Sequence, residues 1–272
     1  MRDRNGKLNK ILIIVLIIFY AVPFYILTTT SLKKDMDVSS KWKMPSYLYL
    51  NSFTNAWSKA NLGHAFLNNI IILVISMTAL IILGSLAAYP LARNKSRLNK
   101  FMYYLFVSAM IVPPLSILVP LYQFYSRIHA MNTFWGITLI HLTFQLPLTI
   151  FLYTGFIGTI PRELDEAALI DGCSRFGLFF KILFPLLKPV TATITIVTGV
   201  NIWNDYQFSL FFLQKSQVQT ITVTLSRFFG EHANYVSWVA AGSLLGSIPM
   251  IIIYLFLQKY FISGLSSGAV KG

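Results

Sequence analysis

An all-α integral membrane fold is what this sequence predicts, and three observations predict it. Of 272 residues, 56% are hydrophobic and 11% charged, whereas soluble globular domains carry about 25% charged residues. Mean hydropathy is +0.64, so too little polar surface exists to coat a water-soluble body of this length. The apolar residues also gather into six runs, 11–32, 66–91, 101–123, 134–158, 190–213 and 239–258. Each is close to the roughly 17–25 residues needed to cross about 30 Å of hydrocarbon.

The first run follows Arg2, Arg4, Lys7 and Lys10 and stays apolar without a small-residue cleavage site, so it is read as a retained helix and not a signal peptide. Pro113, Pro114, Pro120 and Pro147 fall inside the third and fourth runs. In a membrane such prolines are tolerated where neighbours satisfy the freed carbonyls, so they predict kinks in these two spans. In the fifth run, Asp205 is the single formal charge found in any of the six; His141 lies alone in the fourth.

Sidedness follows from the connections, because basic residues resist translocation. An N-terminus in the cytosol puts 14 of the 22 Lys and Arg residues on the cytosolic side. Five of the remaining ones, Lys33, Lys34, Lys41, Lys43 and Lys59, share the long first connection. Both termini are therefore expected inside the cell, with the chain a multi-pass protein of the plasma or inner membrane.

Several function classes fall away. A net charge of +13 is spread over loops on both sides, with no basic face or recognition module for nucleic acid. Attraction to anionic headgroups accounts for it. Cys173 is the only cysteine, so no internal disulfide forms, and it faces the reducing cytosol. No Cys, His and carboxylate cluster has metal-ligand spacing, no Gly-rich phosphate loop occurs, and no Gly-x-Ser-x-Gly elbow supports hydrolysis. The chain is expected to be no enzyme and to hold no cofactor of its own.

Two stretches carry the remaining signal. In WNDYQF, Asp205 sits about sixteen residues into its span; an intramembrane carboxylate marks a functional site by default, because a charge there costs about 2.5–3.5 kcal/mol even on insertion scales. The second, EAALIDGCSRFGLFFKILFPLLKP at 166–189, lies in the cytosolic connection 159–189. Pro161 suits a first helical turn, and Glu163, Asp165 and Glu166 complement the positive end of its dipole. Leu164, Ala167, Ala168 and Asp171 share one helical face, whose alanines admit close approach of a partner. Gly172 supplies a corner. A second segment, 174–183, sets Phe176, Phe179, Phe180 and Leu183 on an apolar stripe that Pro185 and Pro189 close.

This stretch resembles the EAA loop of ABC importer permeases, written E-A-A-x-x-D-G-A, five residues, F-x-x-I-x-x-P-x-x-x-P. Glu166, Ala167, Ala168, Asp171, Gly172, Phe179, Ile182, Pro185 and Pro189 stand in register, and Cys173 replaces the usual alanine. WNDYQF and the ending SGLSSGAVKG are similar to the shorter, six-span partner of the permease pair in the carbohydrate-importing, maltose-type branch.

The resemblance implies a single transmembrane domain over residues 1–272 and a set of partners. These are a second permease, a cytosolic ATPase dimer that binds ATP and Mg, and an external solute-binding protein that delivers a carbohydrate. It implies ATPase coupling through Glu166, Ala167, Ala168, Asp171, Gly172, Cys173, Phe179 and Pro185. Asn201, Trp203, Asn204 and Asp205 are candidates for the substrate path, since planar amides and carboxylates match sugar hydroxyls. The external connection 214–238, with Gln214, Gln217, Gln219, Arg227, Glu231 and His232, is expected to meet the binding protein. The alternative is an ion-gradient-driven secondary transporter, for which the internal repeats with paired broken helices are missing.

Overall fold

The computed structural model describes residues 2–35, 37, 39–231 and 235–269, and no strand occurs among them. The chain opens with α1 (Arg2–Ser31), followed by the short α2 (Asn51–Lys59) and the long α3 (Leu62–Arg93). Next come α4 (Arg97–Ala109), a 3₁₀ turn at Pro114–Ile117, α5 (Leu118–Arg127) and α6 (Phe134–Ile157). The connection after α6 holds α7 (Glu163–Ile170), α8 (Arg175–Gly177), a π-helical stretch at Leu178–Leu183 and α9 (Phe184–Leu186). Then follow α10 (Lys188–Trp203), α11 (Gln207–Phe212), a 3₁₀ turn at Ser216–Val218, α12 (Ile221–Glu231) and α13 (Val236–Ala269).

Among the described residues, four helices are long and apolar enough to cross a membrane: Asn9–Ser31, Leu62–Arg93, Phe134–Ile157 and Val236–Tyr260. Two bent pairs are apolar enough taken together, Arg97–Ala109 with Pro114–Arg127 at 88° and Arg175–Leu186 with Lys188–Trp203 at 70°. The count is therefore four, or six if each pair is one span.

Two of the expected runs are not single helices. The run 101–123 breaks after Ala109. Its Pro113 is extended (φ −63°, ψ 123°), as a residue ahead of proline is forced to be, and the double proline removes two amide donors in succession. Lone Pro147 causes no such break: α6 runs through it as one helix. The run 190–213 likewise ends its first helix at Trp203, and a separate six-residue helix, α11, follows.

The chain divides into two compact units, residues 1–66 with 221–248, and residues 67–220 with 249–272. In the first, Ala56, Leu62, Phe228, Trp238 and Ala241 form a buried core. The Lys59 ammonium lies 4.3 Å from the Trp238 ring. The connection after α1 is organised by buried Lys33, whose ammonium donates to Ser39 Oγ at 2.8 Å and to the carbonyls of Ser39 and Ser40 at 3.2 and 2.7 Å. Asp37 accepts from the Ser39 amide at 2.9 Å and from the Tyr47 hydroxyl. Hydrogen bonds from Ser39 and Tyr47 hold the Asp37 carboxyl down at about 2, and the same bond pushes the Tyr47 phenol up.

In the second unit α6 is the central element. α3 approaches it so closely at Gly84 that a Cβ there would stand 2.4 Å from Thr149 Cγ2. α10 is tied to it by a 2.9 Å hydrogen bond between Tyr153 Oη and Thr191 Oγ1, and α11 by Phe208 stacked on Phe144 at 5.0 Å. α13 continues through Ala269, so the ending SGLSSGAVKG is helical over 263–269, and residues 270–272 lie outside the described residues.

Candidate functional site

The candidate site is built from the connection 158–187 and the helix ends that hold it. α7 begins at Glu163, two residues after Pro161, and carries Glu163, Asp165 and Glu166 in its first turn. Its end is a Schellman motif: the Cys173 amide donates to the Ala168 carbonyl at 3.0 Å and the Gly172 amide to the Leu169 carbonyl at 3.1 Å. Gly172 takes φ +81°, the left-handed conformation that glycine adopts without the penalty borne by other residues. Ser174 then starts α8 by accepting from the Gly177 amide at 3.1 Å.

The second segment runs past 183 and is closed between Pro185 and Pro189, the two prolines expected to end it. Helical turns continue to Leu186, and the bend falls at Leu187, before Pro189 enters the first turn of α10. Pro185 explains the π-helical stretch ahead of it. It has no amide to offer the Lys181 carbonyl and its ring crowds that carbonyl, so the turn widens where an α-helix would strain.

The two faces are also distributed differently from the sequence expectation. Ala168 is 4% exposed, but Ala167, Leu164 and Asp171 of the same stripe face outward. Phe179 and Leu183 point into the unit, Phe179 meeting Tyr89 of α3 at 5.7 Å between ring centroids, while Phe176 and Phe180 are exposed. Ile170 is 85% and Phe176 74% exposed, and Leu169 joins them, so an apolar patch with Glu166 and Asp171 among exposed polar neighbours surrounds the corner. Cys173 is half-buried.

The connection is anchored from behind by Arg93, the last residue of α3. Its Nε and Nη2 donate to Asp165 Oδ2 and Oδ1 at 2.9 and 3.0 Å, and its Nη1 donates to the Ile160 and Ile157 carbonyls at 2.8 and 3.2 Å. In the sequence Arg93 is one of the basic residues counted on the cytosolic side, and Asp165 one of three acids at the start of a helix. No spacing rule joins two residues 72 positions apart.

The second stretch, WNDYQF, is the break between α10 and α11. Asn69 Nδ2 donates to the carbonyl of Trp203 at 3.0 Å, satisfying a carbonyl that the helix leaves open. Asp205 accepts from the amides of Phe208 and Ser209 at 3.1 and 2.9 Å and from Ser209 Oγ at 2.7 Å, so its carboxylate closes the first turn of α11. Trp203 is buried, whereas Asn201 and Asn204, one turn apart, are exposed. Nearby, Asn68 Nδ2 holds the Gln217 and Gln219 carbonyls at 3.0 and 2.9 Å, and α12 turns much of the expected external loop into helix; His232 lies outside the described residues.

A cavity of about 510 Å³ lined by Phe184, Pro185, Lys188, Thr191, Thr195 and Leu257 is apolar. Among the described residues no group of three His, Cys, Asp or Glu side chains could hold a metal.

Residues 80–267, including both stretches, match the family described as "Binding-protein-dependent transport system inner membrane component". The chain belongs to this family. Its members are transport permeases of the membrane, not enzymes, and this chain is one of them, an integral membrane protein with several apolar helices. Over its full length it is 51% identical to the melibiose/raffinose/stachyose import permease protein MelC of Bacillus subtilis, covering 99% of that protein. It is 34% identical over 259 residues to the multiple sugar-binding transport system permease protein MsmG of Streptococcus mutans, covering 93% of each chain. The permease fold also matches a chain of a crystallised bacterial ABC transporter involved in alginate import, with TM-score 0.81 and 20% identity over 94% of this chain and 96% of that one.

Proposed function

We propose that this chain is one of two permease subunits of a carbohydrate importer, crossing the cell membrane six times with both termini in the cytosol. The observation that carries the substrate class is the end-to-end similarity to an import permease for melibiose, raffinose and stachyose, at 51% identity. An oligosaccharide of this kind is the proposed cargo. Residues 1–272 form a single transmembrane domain in this reading, each bent pair counting as one span.

The connection 159–189 is the coupling loop, and its docking surface is the exposed rim around Gly172. Glu166 and Asp171 are exposed, and Leu169, Ile170 and Phe176 present apolar surface beside them. Ala167 admits close contact of the partner; Ala168, Gly172, Cys173, Phe179 and Pro185 shape the loop from within. A cytosolic ATPase dimer seated there supplies the free energy of ATP, bound with Mg on the partner. The present chain contributes rigid elements that move. A second permease completes the path, and an external binding protein delivers the sugar.

Along the path, Asn201 and Asn204 are the proposed sugar-facing groups, because their amides are exposed while Trp203 and Asp205 build the break that displays them. The test is uptake of labelled raffinose in cells lacking this chain, restored by expressing it with its partner subunits. Uptake that follows cellular ATP and survives an ionophore supports the reading. Loss with the ionophore at constant ATP would establish the ion-coupled alternative and overturn it.

A further inference from the structure

We infer that Arg93 is a positioning residue that locks α7 to the end of α3 and the end of α6, so that these elements move as one body when α7 is displaced. The inference rests on the reading of α7 as an ATPase-docking element. Without a lock, α7 would be joined to α6 only by the non-helical residues 158–162, a hinge that absorbs a push from below.

The geometry removes that hinge. The Arg93 guanidinium meets both oxygens of Asp165 through two donors in a planar fork, which fixes orientation as well as distance. A third donor clasps the carbonyls of Ile157, the last residue of α6, and of Ile160 in the middle of the connection. Tyr89, one turn earlier on α3, donates to Asp165 Oδ2 at 3.3 Å, and its ring packs on Phe179. The end of α3 therefore touches both halves of the loop.

The link is shielded, with side-chain exposures of 12% for Arg93 and 15% for Asp165, so water competes for it far less than for a surface pair. Asp165 faces inward while its neighbour Glu166 is exposed, which separates an internal anchor from an external docking group on adjacent residues. Beyond the clamp, the tight crossing of Gly84 on Thr149 and the Tyr153–Thr191 hydrogen bond carry the same body on into α6 and α10.

The experiment uses the whole importer in proteoliposomes and reads retention of the ATPase, ATP hydrolysis and sugar taken up per ATP. Arg93→Gln and Asp165→Asn are each expected to keep the ATPase bound and hydrolysing while uptake per ATP falls about tenfold. The double variant is expected to be no worse than either single one, because the two residues act as a pair. Arg93→Lys keeps the charge but loses the fork, and should recover uptake only in part.

Wild-type uptake per ATP in Arg93→Gln overturns the inference, as does an additive loss in the double variant. Where Arg93→Gln fails to assemble, wild-type coupling in Arg93→Lys overturns it equally. Failure of the docking reading shows separately, as normal ATPase retention in Glu166→Lys, which leaves the clamp intact; that result overturns both.

Discussion

The backbone amide of Cys173 donates to the carbonyl of Ala168 at 3.0 Å, closing the end of α7 around Gly172 at φ +81°. This one relationship converts a helix into a corner and sets the direction in which the apolar patch of Ile170 and Phe176 faces. A Cβ on Gly172 would meet nothing within 4 Å, so space is no obstacle to substitution. Conformation is.

The first prediction follows from that corner. Gly172→Asn should be tolerated, Gly172→Ala should strain the corner by about 1–2 kcal/mol, and Gly172→Val should strain it more, because a β-branched residue resists positive φ. Sugar uptake in reconstituted vesicles should fall in the same order while membrane insertion is unchanged. Equal uptake in all three variants would remove the corner from the coupling pathway.

A second prediction uses the single thiol. A membrane-impermeant maleimide should leave intact cells unlabelled at Cys173 and label inside-out membranes, most strongly after the ATPase is stripped away. Full labelling from outside the cell would reverse the proposed sidedness.

The third separates the residues of the break. Asp205→Ala leaves the Phe208 and Ser209 amides without their acceptor, a loss of about 1–3 kcal/mol for groups screened from water. It should lower thermal stability. Asn204→Ala, at an exposed amide, should leave the melting temperature unchanged and raise the sugar concentration needed for half-maximal uptake. The reverse pattern would show that the carboxylate, not the amide, faces the sugar.

The fourth concerns pH. Asp37 has its folded-state value lowered from 3.8 to about 2, so its contribution to the connection after α1 is fully present above the unfolded value and is lost as pH falls from about 4 through about 2. Proteolysis of residues 33–47 should rise over that interval, and Asp37→Asn should show the raised rate already at neutral pH. A flat pH profile in the unmodified protein would contradict this.

Hydropathy and spelling by themselves determined that the chain is helical and membrane-embedded, where its apolar runs lie, and that 166–189 spells an EAA-type motif with a glycine at its corner. These are local properties: a run of apolar residues and a fixed motif carry their meaning wherever the chain goes. Four matters were decided only by the tertiary structure. The third run breaks at Pro113–Pro114 while Pro147 is absorbed, because a single missing donor can be accommodated within a packed helix and two in succession cannot. The end of α10 at Trp203 depends on Asn69, 134 positions away, which satisfies the open carbonyl. Adjacent residues of like character part company, Ala168 inward from Ala167 and Phe179 inward from Phe180, according to which neighbours the fold supplies. Arg93 and Asp165 meet across 72 positions because the fold returns the connection after α6 to the end of α3, and a charge among many basic residues becomes a four-bond clamp only there.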